Sequence, residues 1–235
     1  MANQLYRNMA VAILVVAIYL ATTISAYPHM ANLFRATTSA EITQEAPSAG
    51  DHFGYRISVS NETMAVIAQY GDEHPSNQPG SLFIFNASIA QNEWFQVQEI
   101  KAPADLANYF FGESVSIYAS WIVVGAPSKS EDTAGKVLMY QYKENTWIKR
   151  VDIASLHVNV TDYMFGWAVA LFENTLVISS PTFPERSGLI HVFKYIGTTW
   201  QFDQFLQPSR SDLQLEDFFG YSLALTDDWL IVGAP

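Results

Sequence analysis

The same short phrase returns along this chain at a nearly fixed interval. A Phe-Gly pair is followed by an apolar run and then, in the last three copies, by Gly-Ala-Pro or Ser-Ser-Pro, with the Pro 16 positions after the Phe. The pairs begin at residues 53, 111, 165 and 219, so the period settles at 54 residues. A repeat this long makes one supersecondary unit the building block of the fold. The repeated positions of interest are Phe53, Gly54, Phe111, Gly112, Gly125, Ala126, Pro127, Phe165, Gly166, Pro181, Phe219, Gly220, Gly233, Ala234 and Pro235.

The second copy reads as four antiparallel strands. Alternating or wholly apolar runs separated by turn residues predict strands over residues 113–118, 121–124, 136–142 and 146–153. Pro127 has no amide donor and ends the second strand, while Gly125 and Ala126 let the backbone pass close to a neighbouring sheet. Each repeat is therefore expected to be one small antiparallel sheet.

The first strand of each copy carries apolar residues on one face and small residues on the other. Its apolar positions are Ile57, Val59, Val115, Ile117, Val169, Leu171, Leu223 and Leu225, and its small ones are Ser58, Ser116, Ala170 and Ala224. This pattern is typical of a strand buried on both sides, as in the innermost strand of a propeller blade. The sequence thus predicts an all-β chain, a β-propeller of four-stranded antiparallel blades with about three complete blades and a partial one. A β-helix is disfavoured because its rungs are much shorter than this repeat. A string of separate small domains is disfavoured because it would need linkers between the repeats and would leave sheet faces uncovered.

The first 26 residues have the pattern of a secretory signal peptide. Arg7 precedes an apolar run from Met9 to Ile24, and the small residues Ser25 and Ala26 follow it. Cleavage after Ala26 is expected, with an uncleaved anchor as the rival, although the run falls short of the ~20 residues that cross a bilayer.

The rest of the chain divides at the repeats. Residues 27–50 form an N-terminal segment that resembles the end of a unit and would supply an outer strand to a shared closing blade. The units then occupy residues 53–110, 111–164, 165–218 and 219–235, within a repeat region of 51–235. Because the fourth unit stops halfway, the chain is expected to be a fragment of a longer protein.

These residues resemble the FG-GAP repeat family, found in the β-propeller head of integrin α chains. The resemblance covers residues 50–235 and is weakest in the first copy, which has Ile67-Ala68-Gln69 at the Gly-Ala-Pro position. It implies a secreted or cell-surface protein with a binding or adhesion function. Several integrin repeats hold calcium in an Asp- and Gly-rich loop. The corresponding turns here are short and carry at most two carboxylates, so no cofactor is expected and calcium binding is doubtful.

Composition and motifs argue against most catalytic sites. The chain has no Cys, its five His residues are scattered, and it has neither a nucleophile elbow nor a phosphate-binding Gly-rich loop. The net charge of −11 disfavours nucleic acid as a partner. We expect no enzymatic activity, no catalytic residues and no metal site. Sequons at Asn61, Asn86 and Asn159 predict glycosylation.

The leading hypothesis is an extracellular binding module that engages a protein or glycan through loops on one face of the propeller. Tyr70, Tyr109 and Phe183 are aromatic residues that could contribute to this surface, although ordinary packing is the favoured interpretation of each. The alternatives are an ancillary propeller of a longer secreted hydrolase and a purely structural scaffold. Membrane attachment through a region beyond Pro235 would favour the binding module, and a catalytic domain there would favour the ancillary propeller of a hydrolase.

Overall fold

A computed structural model describes residues 42–43, 50–69, 80–88, 93–156, 162–183, 187–208 and 217–235. Within these ranges the regular elements are strands, apart from one short 3-10 turn at Ala104–Leu106. The strands are β1 (Phe53–Ser60), β2 (Thr63–Ala68), β3 (Ser81–Ser88), β4 (Glu93–Lys101), β5 (Ser114–Tyr118), β6 (Trp121–Ala126), β7 (Lys136–Lys143), β8 (Thr146–Ala154), β9 (Val169–Phe172), β10 (Thr175–Ser180), β11 (Leu189–Ile196), β12 (Thr199–Leu206), β13 (Ser222–Leu225) and β14 (Leu230–Gly233).

The strands form three four-stranded sheets and one two-stranded sheet, one for each sequence repeat. The orders are β1-β2-β3-β4, β5-β6-β7-β8 and β9-β10-β11-β12, followed by the pair β13-β14, and every pairing is antiparallel. The four strands predicted for the second copy are confirmed to within two residues at each end. The chain is thus all-β, with sheets arranged as propeller blades that do not close into a ring within the described residues.

The two halves of the repeated phrase are joined by a backbone hydrogen bond. The Gly112 amide donates to the Gly125 carbonyl at 2.9 Å, and the next two copies repeat this bond between Gly166 and Ser179 and between Gly220 and Gly233. The glycine after each Phe has a φ between +86° and +94°, which only glycine adopts without strain. The Phe-Gly pair therefore turns the chain into the first strand and fixes it to the end of the second.

The phenylalanine of each pair fills the space between one sheet and the next. Phe111 is fully buried with Ile67 and Ile84 of the first sheet, and Phe165 is fully buried with Val137 and Met139 of the second. Trp147 also lies in the cluster between the first two sheets. Because Phe111, Phe165 and Phe219 each pack against the preceding sheet, the repeats form one continuous stack.

The first strands of successive sheets lie side by side, as expected of innermost strands, but their burial differs along the array. Val169, Ala170 and Leu171 of β9 are all buried, whereas Val59 of β1 and Ala224 of β13 are exposed. Burial on both sides was expected in every copy, and it holds fully only for the third. Both β5 and β9 have a neighbouring first strand on each side, whereas β1 and β13 have one, which accounts for the exposure of Val59 and Ala224. Val115 and Ser116 of β5 are partly buried.

Two predicted segments lie outside the described residues. The signal peptide at 1–26 is one, and most of the 27–50 segment is the other; both remain predictions. Ile42 is described, and it is buried against the outer face of the first sheet with Phe53, Met64 and Phe83. In the part of the chain that the structure describes, no helix has the length and apolar character needed to cross a membrane.

Candidate functional site

Four side chains at equivalent positions lie near the start of the innermost strands. Each stands two residues after the Phe of its repeat, and together they are Tyr55, Glu113, Trp167 and Tyr221. We call these four residues and Arg56 the Phe-Gly rim. Because the sheets repeat in register around the array, the rim residues lie at the same end of the stack. Tyr55 and Arg56 contact Glu113 across the first two sheets, and Trp167 contacts Tyr221 across the last two.

In the first half of the rim, a charged pair joins two sheets. The Arg56 guanidinium donates to the Glu113 carboxylate at 2.7 Å and to the Glu113 backbone carbonyl at 2.8 Å. The Tyr55 hydroxyl donates to the other Glu113 oxygen at 3.0 Å. Glu113 is buried, while Arg56 is partly exposed. The buried carboxylate therefore receives its hydrogen bonds from Arg56 and Tyr55 of the neighbouring sheet. Burial, and then the charge of Glu113, raises the pKa of Tyr55.

In the second half of the rim, two aromatic rings join the third and fourth sheets. The Trp167 and Tyr221 rings lie 5.3 Å apart, and the Trp167 indole N–H donates to the Tyr221 carbonyl at 3.2 Å. The Tyr221 side chain is 49% exposed. This half of the rim therefore offers aromatic surface to solvent, next to a half with charged hydrogen-bonding groups. Such a mixture suits recognition of a partner with both apolar and polar groups.

The opposite end of each sheet is made of tight hairpin turns, and we call it the hairpin end. Asn61, Ala119 and Glu173 occupy the first turn of their repeats with φ near +50°, so these turns are compact. The exposed charges here are mainly acidic, namely Glu62, Glu144, Glu173, Asp227 and Asp228, with Lys143 beside Glu144 at 3.9 Å. The hairpin end also exposes Trp229, so the two ends differ mainly in the charged pair that joins two sheets on the rim. Across the described ranges, no group of three or more His, Asp or Glu side chains converges as metal ligands do.

Two of the predicted glycosylation sites lie at the hairpin end. Asn61 is exposed in the turn between β1 and β2, and Asn86 lies half-buried near the end of β3. The Thr63 hydroxyl, which completes the Asn61 sequon, contacts the Asn86 side-chain oxygen at 3.2 Å. Asn159 lies outside the described residues. Glycans on the first two would project away from the Phe-Gly rim.

Two of the three aromatic residues considered for a binding surface are buried, in agreement with ordinary packing. Tyr109 is buried between the first two sheets, where the Lys136 ammonium lies 5.0 Å from its ring centre, and Phe183 is also buried. Tyr70 lies outside the described residues. The exposed aromatic rim was missed, although aligning the repeats at their Phe would have shown a large residue two positions later in each copy.

One buried cluster has the residue types of a hydrolase site but not its geometry. The Ser155 and Ser180 hydroxyls donate to Asp162 Oδ2 at 3.0 and 2.7 Å, and His191 Nε2 lies 3.8 Å from the same oxygen. In a catalytic triad the serine bonds to the histidine, whereas here both serines bond to the aspartate. Asp162 and His191 are also buried from solvent. A substrate could not reach them in this arrangement.

Comparison with known proteins agrees with this geometry. The FG-GAP repeat family model matches residues 37–85 and 94–140, which cover most of the first two sheets up to β7. No curated protein matches the chain. The family match, the Phe-Gly to Gly-Ala-Pro hydrogen bonds and the stacked four-stranded sheets agree with one another, and the matched residues 37–85 and 94–140 are FG-GAP repeats.

Proposed function

We propose that this chain is an extracellular binding module that engages a protein or glycan ligand through its Phe-Gly rim. FG-GAP repeats occur in β-propeller domains of the adhesion type, which supports binding rather than catalysis as the general role. The observation that carries the proposal is the difference between the two ends of the array. The rim combines exposed aromatic surface with a charged pair, and the hairpin end carries compact acidic turns and two sequons.

Tyr221 and Trp229 provide a matched test because they belong to the same two-stranded sheet at opposite ends. Tyr221 lies on the rim, while Trp229 lies at the hairpin turn and is 71% exposed. The chain, secreted from a eukaryotic cell, would be applied to an array of extracellular glycans and to a panel of purified ectodomains. We expect saturable binding to one probe. Tyr221→Ser is expected to weaken that binding about tenfold or more, because exposed aromatic anchors dominate interface energies.

Trp229→Ala is the control, and it should leave the affinity unchanged. Equal loss in both variants, or loss only in Trp229→Ala, would place the contact surface elsewhere and contradict the proposal. Saturable binding to neither type of probe would favour the purely structural scaffold. A catalytic domain in a longer form of the protein would favour the ancillary-domain alternative, and the rim would then be tested for contact with that domain.

A further inference from the structure

The cluster around Asp162 lies at the junction between the second and third sheets. Ser155 follows the last strand of the second sheet, while Ser180 and His191 belong to β10 and β11 of the third. Asp162, Ser180 and His191 are each no more than 1% exposed. Within the described residues, the second carboxylate oxygen of Asp162, Oδ1, has no hydrogen-bond partner. A carboxylate in such surroundings is costly to ionise.

The backbone of Asp162 ties the same segment to the second sheet. Its carbonyl accepts from the Gly135 amide at 2.9 Å and from the Phe165 amide at 3.2 Å, and the next carbonyl, that of Tyr163, accepts from Ser128 at 2.7 Å. The side chain contacts the third sheet while the main chain is fixed to the second. A change of charge on this carboxyl is therefore transmitted to both sheets.

The preceding junction shows that the fold does not need these polar groups. The copies can be aligned at Trp94 and Trp147, at Phe111 and Phe165, and at Gly135 and Gly188. In this alignment the equivalents of Ser155, Asp162, Ser180 and His191 are Ala102, Asn108, Ala126 and Leu138. Ala102, Ala126 and Leu138 form part of the apolar cluster between the first two sheets, and Asn108 is exposed. The same backbone thus packs one junction with apolar side chains and the next with a carboxylate, an imidazole and two hydroxyls.

We propose that Asp162 and its three partners form a proton-dependent latch between the second and third sheets, which holds more tightly when the Asp162 carboxyl is protonated. Among the described residues, the groups facing the carboxyl are the Ser155 hydroxyl from the second sheet and the Ser180 hydroxyl and His191 imidazole from the third. Lys136 follows Gly135, but its ammonium lies 3.2 Å from Asp105. This inference is independent of the rim and of its ligand.

The direction of the pH dependence follows from the burial of the carboxyl. Burial raises the pKa of Asp162 from 3.8 to about 6, against the opposing effect of the two serine hydroxyls. A carboxyl whose pKa is higher in the closed junction than in the open one binds its proton more tightly when closed. The proton on Asp162 therefore stabilises the closed junction fully below the ordinary pKa of 3.8, and this stabilisation is lost as the pH rises through about 6. The opening equilibrium should change by up to about a hundredfold between pH 4 and pH 7.

Hydrogen exchange of the full chain, measured between pH 4.5 and 7.5 and corrected for the intrinsic pH dependence, tests the latch. The amides of Ser128, Gly135 and Phe165 report on the second junction. The amides of Ile117 and Trp147, which donate to Ser58 and Gln98 of the first sheet, report on the first junction. We expect protection at the second junction to fall by at least about tenfold as the pH rises, while protection at the first junction stays constant. Protection that rises with pH, or changes equally at both junctions, would overturn the proposal.

Two variants separate the carboxyl from its neighbours. Asp162→Asn keeps the shape and removes the titration, so the pH dependence at the second junction should disappear. His191→Leu introduces the residue found at the preceding junction, and the dependence should persist with the same sign. A dependence that survives in Asp162→Asn, or disappears in His191→Leu, would assign the effect to another group. The exchange measurement on the unmodified chain remains decisive if either variant fails to fold.

Discussion

Small residues on the first two strands of the last three repeats compensate for one another. In the second and fourth copies a serine, Ser114 or Ser222, faces a glycine, Gly125 or Gly233. In the third copy the serine is Ser179 on the second strand, and Ala168 stands at the Ser114 position. The Ser114 hydroxyl donates to the Gly166 carbonyl of the next sheet at 2.9 Å, and the Ser179 hydroxyl accepts from the Ala168 amide at 2.9 Å. One hydroxyl fits in each of these three copies, whereas the first copy has Arg56 and Ile67 at the same positions.

Gly125→Ala should therefore destabilise the protein. The added methyl group would collide with the Ser114 hydroxyl and with the Gly166 backbone, which cannot rotate away. We expect a loss of about 3 kcal/mol in the free energy of unfolding, measured by denaturant titration. Adding Ser114→Ala should recover about 1 kcal/mol of this loss in a double-mutant cycle, because one of the two collisions is removed. Gly197→Ala, which has open space around it, should cost only about 1 kcal/mol from its backbone conformation.

At the scale of elements, side-chain hydroxyls connect the innermost strands of successive sheets. Ser58 of β1 accepts from the Ile117 amide at 3.1 Å, and Ser116 of β5 accepts from the Leu171 amide at 3.0 Å. The equivalent residue of β9 is Ala170, which has no such group. The small residues between the apolar positions therefore do more than allow close packing. In the first two sheets their hydroxyls accept hydrogen bonds from backbone amides of the next innermost strand.

Removing one of these hydroxyls should leave a buried amide without its acceptor. Ser116→Ala is expected to cost about 2 kcal/mol, because the Leu171 amide would lose its bond between two packed strands. Ser60→Ala is the matched control. Its hydroxyl accepts from the exposed Ala119 amide at 3.3 Å, which water can replace, and a loss below about 0.5 kcal/mol is expected. Equal losses in thermal or denaturant unfolding would show that the inter-strand bond is unimportant.

The strands could be predicted from sequence because each depends on local periodicity and on turn residues that recur in register. The second copy shows this best, since Pro127 and the turn at Lys143-Glu144-Asn145 delimit its strands. The burial of Tyr109 and the Asp162 cluster could not be read in the same way. The four residues of that cluster lie in separate stretches, and they become visible only when their apolar equivalents in the preceding copy are compared position by position. Side-chain contacts between different repeats produce no periodic pattern in the sequence, so they cannot be predicted from periodicity.

At the scale of the whole molecule, the two-stranded sheet β13-β14 exposes a face that is covered in the other repeats. Ile231 of β14 is equivalent to Ala65, Val123 and Val177, which are at most 1% exposed because each packs towards the following sheet. Ile231 is 64% exposed. The described residues contain nothing that covers it. An apolar face on a short sheet with an open edge favours association between copies.

We therefore expect the 235-residue chain to self-associate in a concentration-dependent way, and Ile231→Asp to reduce this. The charge would disfavour burial of the face while leaving the Leu230 and Val232 contacts to the third sheet intact. Sedimentation velocity over a hundredfold concentration range would measure the effect. Val97→Asp, at a 43% exposed position on the outer strand β4, controls for added charge alone and should leave association unchanged. A chain that stays monomeric at high concentration would show that the open face is tolerated in solution, and equal effects of the two variants would assign association to net charge.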